Sequence, residues 1–456
     1  MRLFKALMAN EKTTTEREKE PELKDAVKIV LSDEQRYIIQ RALQGISLFI
    51  TGKAGTGKST LLLELIQQLI TMYGEDHVFV TSSTGISACN IGGTTLHSYA
   101  GIGTGEDTVA SLLKQMPFTA QQRWKTTKVL IIDEISMIRP DLFDKLELIA
   151  RTVRRRKTPF GGIQLIVCGD FFQLPPVYKR GEPIKYCFEA NSWNDVIQCE
   201  YELHEVHRQN DARFLAVLDE VRNGSLSTQS KELLSSRVKA IITTPLNGRI
   251  KPALLRSKRE TALEENFAEL KKLSTPGIKS IAKDWAVNDK LLMQLKENCQ
   301  APEILYIREG AQVMLLRNLN LNTRLCNGAL GIITNFVNDM PEVTFPTTTT
   351  TLSRVRFEIK SGSEVIAYRE QFPITLGWSV TIHKSQGMTL DYANVELSNL
   401  FASGQGYTAL SRVRSLEGLA IDCVPTTDRI SVDQKVVEYY EKINSTNQQA
   451  CRLNPT

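Results

Sequence analysis

The sequence predicts an α/β fold, with parallel sheets flanked by helices and a β-rich insertion in the second half of the chain. Three observations carry that prediction. Four short apolar runs, at 47–50, 78–81, 129–132 and 164–167, are continuous rather than alternating, as strands covered on both faces must be. Helical patterns lie between some of them, and buried strands interleaved with helices form parallel sheets. Residues 311–374 instead carry short β-rich runs separated by turn signals, and read as a small β-barrel inserted into a second α/β unit.

Taken in order, residues 1–30 are polar and charged and are expected to be a disordered tail. Arg2 and Lys5 give a basic start, but Glu11, Glu16, Glu18 and Glu20 follow, and organelle transit peptides are poor in acids. Ser32-Asp33-Glu34-Gln35 has capping-box spacing, with Ser32 as N-cap and Gln35 at the third helical position. Helices are expected over 59–72 and 140–153. In the second, Leu142, Phe143, Leu146, Ile149 and Val153 share one face and Pro140 opens the first turn. Beyond residue 190 come a helix at 212–222, a strand at 253–255 and a helix at 259–272. The β-rich stretch supplies strands at 311–315, 330–333, 343–345, 355–359 and 365–368, with turns at Asn327-Gly328 and Ser361-Gly362. The threonine tract at 347–351 reads as a flexible loop. Strand 378–380 returns the chain to α/β, and a helix near 431–443 closes it. No internal repeat of 20–50 residues is present.

A chain of 456 residues has room for more than one core, since a single core rarely exceeds about 250 residues. Its 42% hydrophobic and 23% charged residues are those of an ordinary soluble globular protein. No apolar run is long enough to span a bilayer. A net charge of +5 does not by itself imply nucleic acid. The eight cysteines are scattered without a CxxC pair, as reduced intracellular thiols are. His204 and His207 have no cysteine company, which argues against a metal site there.

The chemistry begins at Gly52-Lys53-Ala54-Gly55-Thr56-Gly57-Lys58-Ser59, a full G-x-x-x-x-G-K-[ST] loop after a strand and before a helix, with Thr60 next in line. Glycines let successive backbone N–H groups turn toward phosphate, and the helix presents its positive end to the same point. Lys58 reaches the β and γ oxygens of ATP, and Ser59 offers Mg²⁺ a hydroxyl. The run 129–132 ends in Asp133-Glu134, placing two carboxylates at the sheet edge where α/β proteins bind ligands. Asp133 would hold Mg²⁺ through water, and Glu134 would activate the attacking water. Gly169-Asp170-Phe171-Phe172-Gln173-Leu174-Pro175-Pro176 ends the next strand. Gln173 there has two readings, a γ-phosphate contact or part of a simple strand-terminating turn.

Together these motifs resemble the petite integration frequency (Pif) family of superfamily 1 5′→3′ DNA helicases, relatives of the RecD-like motors. The resemblance runs from about residue 31 to 420. Leu31-Ser32-Asp33-Glu34-Gln35 resembles the Q motif, in which Gln35 would read the adenine edge. Thr84-Gly85-Ile86-Ser87-Ala88 and Ile91-Gly92-Gly93-Thr94-Thr95-Leu96-His97-Ser98 resemble the first strand-contacting motif. Leu203-His204-Glu205-Val206-His207-Arg208-Gln209 resembles the fourth, whose Arg208 would approach the γ-phosphate. Thr381-Ile382-His383-Lys384-Ser385-Gln386-Gly387-Met388-Thr389 matches the strand-gripping fifth. Gly406-Tyr407-Thr408-Ala409-Leu410-Ser411-Arg412 resembles the sixth, placing Arg412 as the arginine finger, and 255–270 with Asn266 is a looser match.

The resemblance implies two RecA-like P-loop NTPase domains with ATP in the cleft between them, a small inserted β-barrel and a short wedge or pin. The expected division is a tail at 1–30, a first lobe at 31–190 with the wedge near 98–120, a second lobe at 191–305 and 374–456, and the barrel at 306–373. It implies ATP-dependent unwinding of DNA with 5′→3′ movement on single strands, acting on tailed or forked duplexes in repair, recombination or telomere maintenance. The nucleus or mitochondrion would be the place in a eukaryote, the cytoplasm or nucleoid otherwise, and a monomer the working unit. Thr94, Thr95, His97, His383, Lys384 and Ser385 are the candidate DNA contacts, with a capping or core role the other reading of His97. Tyr99, Phe171, Phe172 and Trp378 are each either stacking platforms or core. The basic run 154–157 either ends a helix or faces DNA. Movement without unwinding, nucleotide-gated binding and an RNA track are the competing functions.

Overall fold

The computed structural model describes residues 31–453, apart from 85–86, 89–90, 179–180, 207–210, 247, 320–324 and 362–363. The expected tail at 1–30 and Arg208 therefore lie outside the described residues, as do parts of the turn at Ser361-Gly362. The described residues from Asp33 onward form one compact unit.

Strands β1 (Leu48–Gly52), β2 (Val78–Ser82), β3 (Thr94–Thr95), β4 (Val129–Asp133), β5 (Gln164–Cys168) and β6 (Cys199–Leu203) form the first sheet, in the order β3-β2-β4-β5-β1-β6. Every adjacent pair is parallel. β1 and β5 are buried along their whole length, which is why their sequences run apolar without alternation. β6 was not expected from the sequence. It is an edge strand reading Cys-Glu-Tyr-Glu-Leu, half-exposed at its first three positions, so it lacks the continuous apolar signature. Helices Lys58–Tyr73 and Pro140–Arg154 flank the sheet, each within a residue of its expected ends.

The second parallel sheet is built from β7 (Ala253–Arg256) in the middle of the chain and three late strands described below. Between them the chain forms antiparallel sheets. β8 (Gly277–Ile281) pairs β10 (Ile304–Arg308), and β9 (Lys283–Ala286) joins β15 (Val355–Ser361) and β16 (Glu364–Gln371). β11 (Gln312–Leu315), β12 (Leu330–Val337), β13 (Met340–Thr344), β14 (Thr349–Thr351) and β17 (Ile374–Leu376) form a five-stranded sheet. These strands enclose a separate core of Leu305, Val313, Ile333, Val343, Phe345 and Ile374. The β-rich part thus begins at Gly277, earlier than the stretch read from sequence. The threonine tract is not simply a loop: Thr349–Thr351 pairs β13 in register, β-branched side chains favouring an edge strand.

β18 (Ser379–Thr381), β19 (Ala393–Val395) and β20 (Leu419–Ile421) complete the second sheet in the order β18-β7-β19-β20, all parallel. Asn266, on helix Arg259–Lys271, is buried against β18. Its Oδ1 accepts from the backbone N–H groups of Trp378 and Ser379 at 3.1 and 3.0 Å, and its Nδ2 donates to the Ser379 carbonyl at 2.6 Å. The final helix, Gln434–Leu453, packs against β6 of the first sheet. Among the described residues no helix is long and apolar enough to cross a membrane.

Candidate nucleotide site and nucleic-acid track

The nucleotide loop lies where β1 meets helix Lys58–Tyr73. Gly52 closes the strand with φ 147°, and a Cβ there would sit 2.6 Å from the Leu203 carbonyl oxygen of β6. Only glycine fits against that neighbouring backbone. Gly57 is the N-cap and offers no side-chain cap, so the first helical N–H groups stay available at the positive end of a 16-residue helix. Lys58 Nζ donates to the carbonyls of Gly52 at 2.6 Å and Lys53 at 3.0 Å. Burial lowers its pKa, while the charge of Asp170 opposes that shift. Thr56 is buried and its hydroxyl donates to Lys53 O at 2.9 Å, bracing the loop. Gly55 lies within that loop, Ser59 and Thr60 are on the first helical turn with Ser59 exposed, and Gln35 is buried on helix Asp33–Leu43.

β4 delivers Asp133 and Glu134 to the same edge. Glu134 adopts a left-handed backbone at φ 52°, a costly conformation for a non-glycine residue that tends to persist where it has a use. Burial raises the Asp133 pKa. Burial and then the charge of Asp133 push Glu134 up to about 7, against the opposing charges of Arg412 and Lys58. A general base is most effective near the working pH. Gln386, from the segment after β18, donates to Glu134 Oε2 at 2.8 Å and so orients it. The donor set suits a hard divalent cation with phosphate oxygens: a hydroxyl at Ser59 and a carboxylate at Asp133, with no soft ligand required.

The next strand leads into a buried polar cluster. Gln173 is buried and its Nε2 donates to Asp170 Oδ2 at 3.4 Å. Asp170 Oδ1 also accepts from Arg222 at 3.3 Å and from the Tyr440 hydroxyl at 3.2 Å, and Arg222 reaches Glu202 at 3.1 Å. The Arg222 guanidinium lies 4.1 Å from the Phe172 ring centroid and 5.1 Å from that of Tyr440. Tyr440 Oη is also 2.5 Å from Thr51 Oγ1, one residue before the loop. Sequence reading missed Arg222, Glu202 and Tyr440. A buried arginine on a helix shows no periodic signal that separates it from a surface one.

The second sheet closes the site from the other side. The Tyr407 hydroxyl accepts from the Ala54 N–H at 2.8 Å, and Lys53 pairs with Asp219 at 2.7 Å. At Gly404, φ 71°, a Cβ would fall 2.2 Å from the Gln173 carbonyl oxygen, so the backbone here lies directly on the Phe172–Gln173 turn. Arg412 is buried, its Nε donating to Thr408 O at 3.0 Å and an Nη to Ser411 Oγ at 2.9 Å. Burial lowers its pKa and the charge of Glu134 raises it. The structure therefore brings Lys58, Asp133, Glu134 and Arg412 within electrostatic reach of one another, and Gln173 joins them through Asp170.

The track candidates divide by orientation. Thr94 is buried, and Thr95 is the N-cap of helix Leu96–Ala100, its side chain accepting from Ser98 N. His97 is half-buried, and burial lowers its pKa. Thr381 caps the short helix Ile382–Ser385 by accepting from Lys384 N. Lys384 is exposed, whereas the Ser385 hydroxyl turns inward to Ile382 O at 2.8 Å. His383 is stacked on Phe401, with centroids 6.3 Å apart and planes 20° from parallel. Phe401 is 66% exposed, an aromatic that sequence reading overlooked. Tyr99, Phe171, Phe172 and Trp378 are all buried and belong to the core rather than to a stacking platform.

The chain matches the family model of PIF1-like helicases over residues 30–232 and that of the DNA helicase Pif1 2B domain over 290–336. It is 40% identical over 417 residues to the ATP-dependent DNA helicase PIF1 of Homo sapiens, covering 90% of this chain and 63% of that protein. The chain thus spans less than two thirds of that relative's length. The crystal structure of the Pif1 helicase from Candida albicans superposes with a TM-score of 0.75 at 36% identity, covering 91% of this chain and all of that one. The Pif1 helicase from Bacteroides in complex with ADP-AlF3 and single-stranded DNA gives 0.64 at 30% identity, over 91% of this chain and 98% of that one. The parallel sheets, the nucleotide loop and these matches agree: the chain belongs to the PIF1-like helicase family.

Proposed function

We propose that this chain is an ATP-driven DNA helicase that moves 5′→3′ on single-stranded DNA and separates tailed or forked duplexes. The observation that carries the reading is the two-sided site, Lys58, Asp133 and Glu134 from the first sheet facing Gln386, Tyr407 and Arg412 from the second. A protein that needs only to bind nucleotide has no use for a site built from two separate sheets, whereas a motor, whose halves would part on hydrolysis, does. Both halves come from one chain, so a single copy completes the site. We take the first lobe at about 31–190 with the wedge near 98–120. The second lobe and barrel, read from sequence as 191–305 with 374–456 and 306–373, divide earlier, since the antiparallel strands of the insertion begin at Gly277. A role in DNA repair, recombination or telomere maintenance is part of the same proposal and rests on the family resemblance.

In this reading the loop N–H groups and Lys58 bind the β and γ phosphates, and Gln35 contacts the base. Ser59 and Asp133 would hold Mg²⁺, which would supply neutralising charge at the phosphate oxygens. Glu134, steadied by Gln386, takes the proton of the attacking water. Arg412 and Arg208 approach the γ-phosphate and stabilise charge as it spreads in the transition state. Gln173, bonded to Asp170, senses the same phosphate, and loss of that phosphate lets the halves part. Thr94, Thr95, His97, His383, Lys384 and Ser385 line the strand path and hold its backbone with sequence-tolerant contacts.

The test is strand displacement by the purified chain with Mg·ATP on two duplexes that differ only in a 5′ or a 3′ single-stranded tail. Release from the 5′-tailed duplex alone is expected. Strand-stimulated hydrolysis without displacement on either substrate would replace this reading with a translocase that does not unwind.

A further inference from the structure

The basic run that follows helix Pro140–Arg154 is more than a helix ending. Arg154 is committed to the fold: its guanidinium donates to the carbonyls of Trp124, Lys125, Thr127 and Gly161 at 2.7 to 3.0 Å. The helix carbonyls are satisfied by backbone, with Arg155 N bonding Thr152 O at 3.3 Å and Arg156 N bonding Arg151 O at 3.1 Å. Arg155 caps the helix through its backbone N–H, so the cap uses neither the Arg155 nor the Arg156 side chain, and both residues are exposed. Arg155 moreover occupies the left-handed position at φ 53°, where a helix end ordinarily places glycine. That backbone geometry belongs to the cap, which leaves the arginine side chain itself to be accounted for.

These arginines line a cavity of about 620 Å³ whose other walls include Leu113, Gln121 and Lys125, with no carboxylate among its lining residues. Leu113 and Gln121 lie on helices Val109–Gln115 and Phe118–Thr126, within and just after the segment assigned to the wedge. The cavity is also remote from the nucleotide. Helix Pro140–Arg154 runs back from the Glu134 edge, and its 15 residues span roughly 22 Å at 1.5 Å per residue. An anion held here is therefore not the nucleotide at the site above.

We infer that this cavity is a second DNA site, which takes the phosphodiester backbone of the duplex ahead of the fork, with Lys125, Arg155 and Arg156 as its cations. A patch of one sign next to the segment assigned to the wedge would meet the intact duplex, whose charge per unit length exceeds that of a single strand. The inference rests on the helicase reading.

The test uses the full chain and the double variant Arg155→Gly/Arg156→Ala. The first substitution relieves the left-handed strain, so the variant is expected to fold and to melt no lower than the parent. Binding to a blunt duplex and to an oligo-dT strand is followed by fluorescence anisotropy from about 50 to about 200 mM salt. For the duplex, the slope of log affinity against log salt is expected to flatten by roughly two, at about 0.9 for each phosphate that the variant no longer neutralises. Affinity for oligo-dT, its salt slope and strand-stimulated ATP hydrolysis should stay as in the parent. An unchanged duplex slope overturns the site. An equal flattening on oligo-dT also overturns it, moving these arginines to the single-strand track. Failure of the parent to bind either DNA overturns the helicase reading, and the site with it.

Discussion

Arg412→Ala separates what holds the site together from what drives its chemistry. In the structure the guanidinium is 3% exposed and bonded only to neutral acceptors, Thr408 O and Ser411 Oγ. Losing two such bonds costs about 1 kcal/mol each. Removing a buried cation whose pKa is already lowered by burial returns part of that desolvation. The net effect on folding is therefore within about 2 kcal/mol. The catalytic effect is far larger, because an arginine finger in related NTPases contributes about 10³–10⁵ in rate, or about 4–7 kcal/mol of barrier. Three measurements on the same preparation distinguish the two: the melting temperature, the affinity for a fluorescent ATP analogue, and the strand-stimulated turnover rate. Near-parental melting and binding are expected, with turnover down by at least a thousandfold. A secondary sign follows from Glu134. Its pKa is held down in part by Arg412, so residual hydrolysis in the variant should rise with pH at a higher pH than in the parent. Turnover within about tenfold of the parent (about 1.4 kcal/mol) refutes the finger role. Loss of nucleotide affinity in step with turnover would instead make Arg412 a structural residue of the closed site.

Two further perturbations test the electrostatics. With the Glu134 pKa raised from 4.5 to about 7, the folded chain keeps a proton across that window that the unfolded chain has lost, so the carboxyl destabilises increasingly as pH rises through it. Glu134→Gln should therefore make the nucleotide-free protein more stable at pH 8, by about 1–3 kcal/mol after allowing for partial exposure. At pH 4 the melting curves should coincide, while hydrolysis is lost throughout; equal melting at pH 8 would contradict the raised pKa. Arg222→Ala leaves Asp170 and Glu202 buried without their common cation, a loss of about 3–5 kcal/mol readable in urea unfolding. A change under about 1 kcal/mol would mean that solvent reaches the cluster.

Much of the fold and of the site was legible in the sequence, and the reason is locality. The nucleotide loop declares itself because strand, loop and helix are consecutive and each glycine answers a backbone need within a few residues. The buried strands β1, β4 and β5 declare themselves by unbroken apolar runs, and helix Pro140–Arg154 by its one-sided spacing. The carboxylates at the end of β4 follow from their place at the close of an unbroken apolar run. β6 escaped because charges alternate with apolar residues on an edge strand; β8 and β10 alternate in burial but not in sequence character, so no period of two shows. β19 and β20 escaped because three residues carry too little pattern. Tertiary structure alone decided that Tyr440 would reach Asp170 across 270 residues and that Gln386 would reach Glu134 across 252. It likewise decided that Tyr407 would cap the loop at Ala54, and that four candidate aromatics would be buried while Phe401 stayed exposed. Such contacts join residues that share no local period. Their partners are chosen by which faces come together when the sheets bury their apolar surface, and no short window of sequence encodes that choice.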